Sequence, residues 1–167
     1  MQSGEHPKIN PLPTKKKVNM SNLATLGHKL NNLLRKTHDA EKGFKKAAEH
    51  AENAALQNYF FVKAIQRNGF GGDLEKEILN LNQEIEKNGS PAGTVHRGWM
   101  DIKVFFSKNP DHTMLSEAID GEKAAVEEYE QLLKDVDVPS MTKAMLKEQM
   151  NKIIHDLATI KRLEDMI

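Results

Sequence analysis

Apolar residues recur every three or four positions in four long stretches of the chain, which is the spacing expected of the buried face of an α-helix. The stretches cover residues 21–51, 53–88 and 113–136, and a fourth begins near Met141. A chain of 167 residues is long enough for one domain with a single sizeable core. The pattern therefore predicts an all-α domain built from four long helices.

The second predicted helix contains Gly-Phe-Gly-Gly at residues 69–72, where each glycine costs about 1 kcal/mol relative to alanine. We nevertheless predict one continuous helix, because the apolar positions keep the same phase from Leu56 to Ile85. Phe61 and Ile65 lie on the back of this helix, in line with the glycines at 69 and 72. This second apolar surface needs a cover.

The lengths of the connections predict how the helices are joined. Short turns follow helices one and three, so we expect two antiparallel hairpins. The connection between them is too long for a hairpin, and its apolar segment at 94–106 should form a short helix. It should cross the bundle from end to end and pack Trp99 and Phe105 against it. Two hairpins joined by such a crossover are the ferritin-like form of the four-helix bundle.

Two glutamates lie in the middle of apolar helical stripes, Glu41 in helix one and Glu122 in helix three. Their surroundings repeat, with Asp-Ala-Glu-Lys at 39–42 and Asp-Gly-Glu-Lys at 120–123. Each helical half thus presents one acid to the core. Keeping two carboxylates charged in a core costs free energy, so they must share a proton, hold a metal or contact cations.

The sequence leaves two explanations of these acids open. One is a core charge cluster that sets the helix register and is formed by Glu41, Glu122, Lys63, Gln66 and Arg67. The other is an iron or manganese site whose candidate ligands are Glu41, Glu122 and His38. Di-iron bundles also need Glu-x-x-His on two further helices, which helix two lacks.

Helix four supplies no obvious metal ligand. We expect its buried face to comprise Leu146, Met150, Ile153, Ile154, Leu157 and Ile160. Relative to that face, His155 points roughly 160° away at about 100° per residue. Leu157 stands where an inward histidine would be useful.

Composition indicates the limits of the folded domain, the partners the protein could bind and its location in the cell. Residues 1–19 are polar and proline-containing, so we expect a flexible tail before a bundle at 20–167. The 24 basic and 24 acidic residues balance, so only the lysines at 15–17 suggest contact with nucleic acid or an anionic surface, and we expect these to be solvated. No cysteine is present, and no apolar run reaches the roughly 20 residues of a membrane span. We expect a cytoplasmic protein.

The segment Gly-Thr-Val-His-Arg-Gly-Trp-Met-Asp-Ile-Lys at 93–103, with residues 41–44 before it and 121–125 after it, resembles an uncharacterised bacterial family of ferritin-like bundles. Members share a Gly-x-x-His-Arg-Gly-Trp crossover signature. The resemblance covers the chain from about Met20 onward and implies the fold of ferritins and rubrerythrins, but no particular activity. We expect His96, Arg97 and Trp99 to anchor the crossover, the alternative being a small-ligand or phosphate contact.

Three functions are consistent with the sequence. The favoured one is a non-enzymatic bundle that self-associates as a homo-oligomer or binds another protein, and no small-molecule substrate is identified for it. The alternative is a di-metal carboxylate protein that binds iron or manganese and acts on oxygen, peroxide or iron. The third is a DNA-binding bundle acting through the tail. The sequence contains no Ser/His/Asp set, phosphate loop or zinc motif that would indicate a hydrolase, kinase or metalloprotease.

Overall fold

The structure is a computed structural model that describes residues 20–86 and 108–164. These residues form four α-helices: α1 (Met20–His50), α2 (Ala54–Asn80), α3 (Pro110–Asp135) and α4 (Ser140–Glu164). The described ranges contain no strand, which confirms the all-α prediction. The predicted tail at 1–19, the predicted short helix at 94–106 and its anchor residues His96, Arg97 and Trp99 lie outside the described residues.

Helix α2 runs without a break through the glycines at 69–72, as predicted, but it ends at Asn80 rather than near residue 88. Its first turn is capped by the Asn53 side chain, which accepts hydrogen bonds from Ala55 N and Leu56 N. After the helix, Asn82 adopts a left-handed backbone conformation with φ of 54°. That conformation turns the chain back along α1.

Asn31 on α1 holds the returning chain. Its buried side-chain amide donates to Glu84 O at 2.9 Å, and its Oδ1 accepts from Glu86 N at 2.9 Å. The Glu86 carboxylate in turn accepts from Arg35 Nη1 at 2.9 Å. The end of the α2 segment is therefore pinned beside the first half of α1.

Pairs of contacting residues show how the helices are oriented. Lys29 and Lys36 of α1 contact Asp135 and Glu128 of α3, so residue numbers rise on one helix as they fall on the other. The same inverse order relates α2 to α4, because Lys63 and Glu77 of α2 contact Asp156 and Thr142 of α4. Both helix pairs are therefore antiparallel.

Asp111, in the first turn of α3, fixes the other end of the bundle. Its carboxylate accepts hydrogen bonds from the backbone N–H groups of Glu52 (2.8 Å) and Asn53 (2.9 Å), which precede α2. Helices α2 and α3 therefore begin at the same end. Because α2 ends near the first half of α1, the end of α2 and the start of α3 lie at opposite ends of the bundle.

The apolar core is divided into two clusters along the bundle axis. One includes Phe44 of α1, Phe60 of α2, Leu115 of α3 and Ile160 of α4. The other lies toward the opposite end of the bundle, earlier in α1 and α4 and later in α2 and α3, and includes Leu30, Phe70, Tyr129, Leu146 and Ile153. On each helix, buried polar residues lie at or near the boundary between the two clusters and form a polar layer: Thr37 and Glu41 on α1, Lys63 and Arg67 on α2, Glu122 on α3, and Asp156 on α4.

One part of the predicted face of α4 is wrong. Ile154 is 45% exposed, whereas the buried positions of this helix include Thr142, Leu146, Gln149, Ile153, Asp156 and Ile160. Met150 and Leu157 are half-buried, and His155 is exposed. The inward face is rotated relative to the predicted one, because two of its positions carry polar residues with buried partners. Gln149 bonds to Phe70 O, and Asp156 pairs with Lys63.

Within the described ranges, none of the helices has the length and apolarity to cross a membrane.

Candidate functional site

Two cations one helical turn apart on the inner face of α2 form the centre of the polar layer. Lys63 and Arg67 are 7% and 2% exposed, so both are removed from water. Aromatic rings cover them: Lys63 Nζ lies 5.4 Å from the ring centroid of Tyr59, and the Arg67 guanidinium lies 5.2 Å from that of Phe70. Such contacts with ring faces are favourable for cations.

Each cation is paired with an acid from a different helix. Lys63 Nζ lies 2.5 Å from Asp156 Oδ1 on α4. Arg67 forms a buried ion pair with Glu122 Oε2 on α3 and also donates to Gln66 Oε1 at 3.2 Å. Two positive and two negative side chains therefore meet where three helices converge, and their formal charges cancel. We call Lys63, Arg67, Glu122 and Asp156 the charged centre.

Burial is the main influence on the ionisation of Glu122. It raises the pKa of the Glu122 carboxyl, the Arg67 guanidinium opposes that shift, and the nearby Asp156 carboxylate adds to it. The pKa of the Tyr59 hydroxyl is likewise raised, first by burial and then by Glu122 and Asp156. Glu122, Asp156 and Tyr59 are therefore close enough to act on one another electrostatically.

Three buried polar atoms of this group have no hydrogen-bond partner among the described residues. They are the Tyr59 hydroxyl, Glu122 Oε1 and Asp156 Oδ2. Each acid thus uses one oxygen for its ion pair and leaves the other unsatisfied. Unsatisfied buried polar atoms are uncommon in folded proteins and need an explanation.

Glu41 is buried, as its place in the apolar stripe predicts, but its partners lie at the seam between α1 and α2. Its Oε1 accepts from Lys45 Nζ at 2.5 Å and from the Asn68 amide at 3.3 Å. Burial raises the pKa of the Glu41 carboxyl, but these hydrogen bonds outweigh it and the net shift is downward. The structure therefore gives Glu41 and Glu122 separate partners, and the acid that acts on Glu122 is Asp156.

His38 lies between two acids on the same seam. Its Nδ1 is 3.6 Å from Glu41 Oε2, and its Nε2 is 3.4 Å from Glu75 Oε1. The ring covers Gly71, where an added Cβ would lie 2.9 Å from His38 Cε1. Because the two ring nitrogens face different carboxylates, the two acids are not directed at one point. Within the described ranges, no three His, Asp or Glu side chains are arranged to hold a metal ion.

Helical phase predicts the inward positions of Lys63, Arg67 and Glu122, but the face predicted for α4 leaves out Asp156, and the apolar stripe of α2 does not reveal the polar role of Tyr59. Asp156 lies three residues after Ile153 and four before Ile160, which is the spacing of a shared helix face. That spacing was a usable signal. Ile154 and Leu157, however, favour a face with a different centre, from which Asp156 is absent.

The fold and the site define a four-helix bundle with a buried, charge-balanced centre. A family model described as "Domain of unknown function (DUF2383)" matches residues 25–135, which is more than half of the chain. The protein belongs to this family. The match includes most of α1, all of α2 and all of α3, whereas α4 and its Asp156 lie beyond it. No curated protein matches the chain.

The Lys63 and Asp156 pair generates a stability prediction. Lys63→Met should lower the free energy of unfolding by about 3–5 kcal/mol, because Asp156 is left buried without its cation. Adding Asp156→Leu should recover most of that loss, since both charges are then removed. Urea unfolding at pH 7 measures both changes.

The matched control is Lys123→Met, which breaks the exposed pair with Asp120 on α3 and should cost less than about 1 kcal/mol. If the double variant is no more stable than Lys63→Met alone, Lys63 and Asp156 do not compensate each other.

Glu41 generates a pH prediction. Because folding lowers the pKa of Glu41 below the ordinary value of 4.5 for a glutamate, its carboxylate stabilises the fold above that pH, and this contribution is lost as the pH falls through the lower, folded value. Glu41→Gln should therefore be destabilising at pH 7, and its difference from wild type should shrink below pH 4.5. Urea unfolding of both proteins across this range is the measurement. A difference that grows on acidification would contradict the assignment.

Proposed function

We propose that the protein is a non-enzymatic, ferritin-like four-helix bundle of the cytoplasm that associates with a second copy of itself through α2. In this proposal the charged centre is structural: it holds α2, α3 and α4 in register. The observation that carries the proposal is the exposed apolar face of α2. The absence of cysteine fits a reducing compartment.

The ferritin-like arrangement is supported by the directions of the helices. Helices α1 and α3 are antiparallel, as are α2 and α4, and α2 and α3 start at the same end. The end of α2 and the start of α3 therefore lie at opposite ends of the bundle, which is the placement expected in a ferritin-like fold.

A structural role for the centre is supported by its charge balance. Each acid faces a cation of this chain at ion-pair distance, and the formal charges of the four side chains sum to zero. Breaking one member of such a pair is costly, whereas the intact pair constrains which helices meet and at what level. The arrangement therefore fits a role in fixing the relative positions of the helices better than it fits a reactive site.

Self-association is supported by three neighbouring apolar residues on the outer face of α2. Phe61 is 56% exposed, Val62 47% and Ile65 58%. Along the same helix, a Cβ added at Gly69 or Gly72 would meet no atom of the described residues within 4 Å. We call these five residues the outer face.

A second copy suits the outer face because the glycines allow a facing helix to approach closely and a two-fold axis matches the surface to itself. The formal net charge of zero also removes long-range repulsion between copies. Contiguous exposed apolar residues of this kind are typical of protein interfaces.

The test replaces Phe61 and Ile65 together by aspartate. Light scattering after size-exclusion chromatography should show a dimer for the wild type and a monomer for the double variant. Burying uncompensated charges at the interface costs at least about 3 kcal/mol, which corresponds to a dissociation constant more than about 100-fold higher.

The control is Ile154→Asp, which places a charge at an exposed isoleucine of α4 and should leave the dimer intact. Circular dichroism should show the same helicity for all three proteins. A wild type that stays monomeric at its highest soluble concentration overturns self-association, and a dimeric double variant overturns the assignment to the outer face.

A second candidate is a di-metal carboxylate protein that binds iron or manganese and acts on oxygen, peroxide or iron. The unpartnered oxygens Glu122 Oε1 and Asp156 Oδ2 favour it, since hard cations bind carboxylate oxygens. Lys63 and Arg67 oppose it, because they already neutralise these acids.

Metal analysis of natively purified protein separates the two candidates. A structural centre predicts much less than one iron or manganese ion per chain and no change in melting temperature when Mn²⁺ is added. One or two ions per chain, lost in Glu122→Gln, would instead establish the metal function.

A further inference from the structure

Three unpartnered buried atoms, two in the charged centre and one in the neighbouring Tyr59, come from three helices. The Tyr59 hydroxyl belongs to α2, Glu122 Oε1 to α3 and Asp156 Oδ2 to α4. Their residues are 8%, 2% and 6% exposed, so bulk water does not satisfy them. One donor and two acceptors are thus left over around the two cations of α2: Tyr59 and Asp156 both contact Lys63, and Glu122 contacts Arg67 one turn further along.

The chemistry of the leftover atoms restricts what could bind between them. The carboxylate oxygens accept hydrogen bonds, so the missing group must donate twice, and the tyrosine hydroxyl can donate to it once. A water molecule has two donors and accepts from a third partner. Buried waters in proteins typically make about three hydrogen bonds to groups that would otherwise be unsatisfied.

The charge of the centre selects a neutral occupant. Lys63 and Arg67 already balance Glu122 and Asp156, so a divalent cation would leave two uncompensated positive charges in a buried site. The energetic cost of uncompensated buried charge is several kcal/mol per ion. A neutral hydrogen-bonding molecule adds no such cost.

The geometry points to a buried water site at the charged centre, in which one water donates to Glu122 Oε1 and Asp156 Oδ2 and accepts from the Tyr59 hydroxyl. This water links α2, α3 and α4 through the one oxygen of each acid that its ion pair leaves free. The site does not depend on self-association, because the outer face of α2 takes no part in it.

A crystal structure of the full chain at high resolution, from crystals soaked in MnCl₂, tests the site directly. The expected result is a water peak at about 2.7–3.2 Å from all three atoms, with no anomalous signal from manganese. A manganese peak at this place, or direct hydrogen bonds among the three side chains with no water between them, overturns the inference.

A pair of tyrosine variants tests the assignment in solution. Oxygen-17 relaxation dispersion counts long-lived internal waters, and Tyr59→Phe should show one fewer than the wild type. Tyr129→Phe is the matched control, because the buried Tyr129 hydroxyl already bonds Gln149 Oε1 at 2.8 Å, and it should keep the wild-type number. An unchanged number in Tyr59→Phe, or an equal loss in both variants, contradicts the role of Tyr59.

Discussion

The bundle depends on the electrical balance of a layer of charged side chains that divides its core. An isolated charge inside a protein costs several kcal/mol, so Lys63 and Arg67 are tolerable on the inner face of α2 only if anions face them. Glu122 and Asp156 fulfil that condition from two other helices. The apolar clusters on either side stabilise the bundle, but they allow helices to slide or rotate more readily than a pair of directed ion contacts does.

This constraint accounts for the rotation of α4. A face chosen only for hydrophobicity would include Ile154, yet Ile154 is exposed and Asp156 is buried. Turning the helix the other way would expose Asp156 and leave Lys63 buried without an anion. The cost of that unpaired cation exceeds the roughly 1.5–3 kcal/mol gained by fully burying one isoleucine. The polar contact therefore decides the orientation.

Helical phase was sufficient to predict the four helices, the continuity of α2 through residues 69–72, and the inward direction of Lys63, Arg67 and Glu122. It did not predict the end of α2, where residues stay packed against the core although they are no longer helical. Leu81 and Ile85 keep the phase and pack against the core, yet the helix has already ended, because the left-handed conformation of Asn82 redirects the chain.

Phase alone does not indicate which acids share an environment. The matching sequences around Glu41 and Glu122 suggested one centre, but the structure gives Glu41 the partners Lys45 and Asn68 at the seam of α1 and α2. Which residue meets which depends on the relative levels of the helices. Those levels follow from contacts such as Asp111 with the turn before α2, which no periodicity within one helix reveals.

The most direct test of the charge balance is the interaction energy between Arg67 and Glu122, measured by a double-mutant cycle with Arg67→Met, Glu122→Leu and the combined variant. The account predicts that each single change is strongly destabilising and that the combined change costs less than their sum by at least about 2 kcal/mol. Additive losses, with an interaction energy near zero, would contradict it.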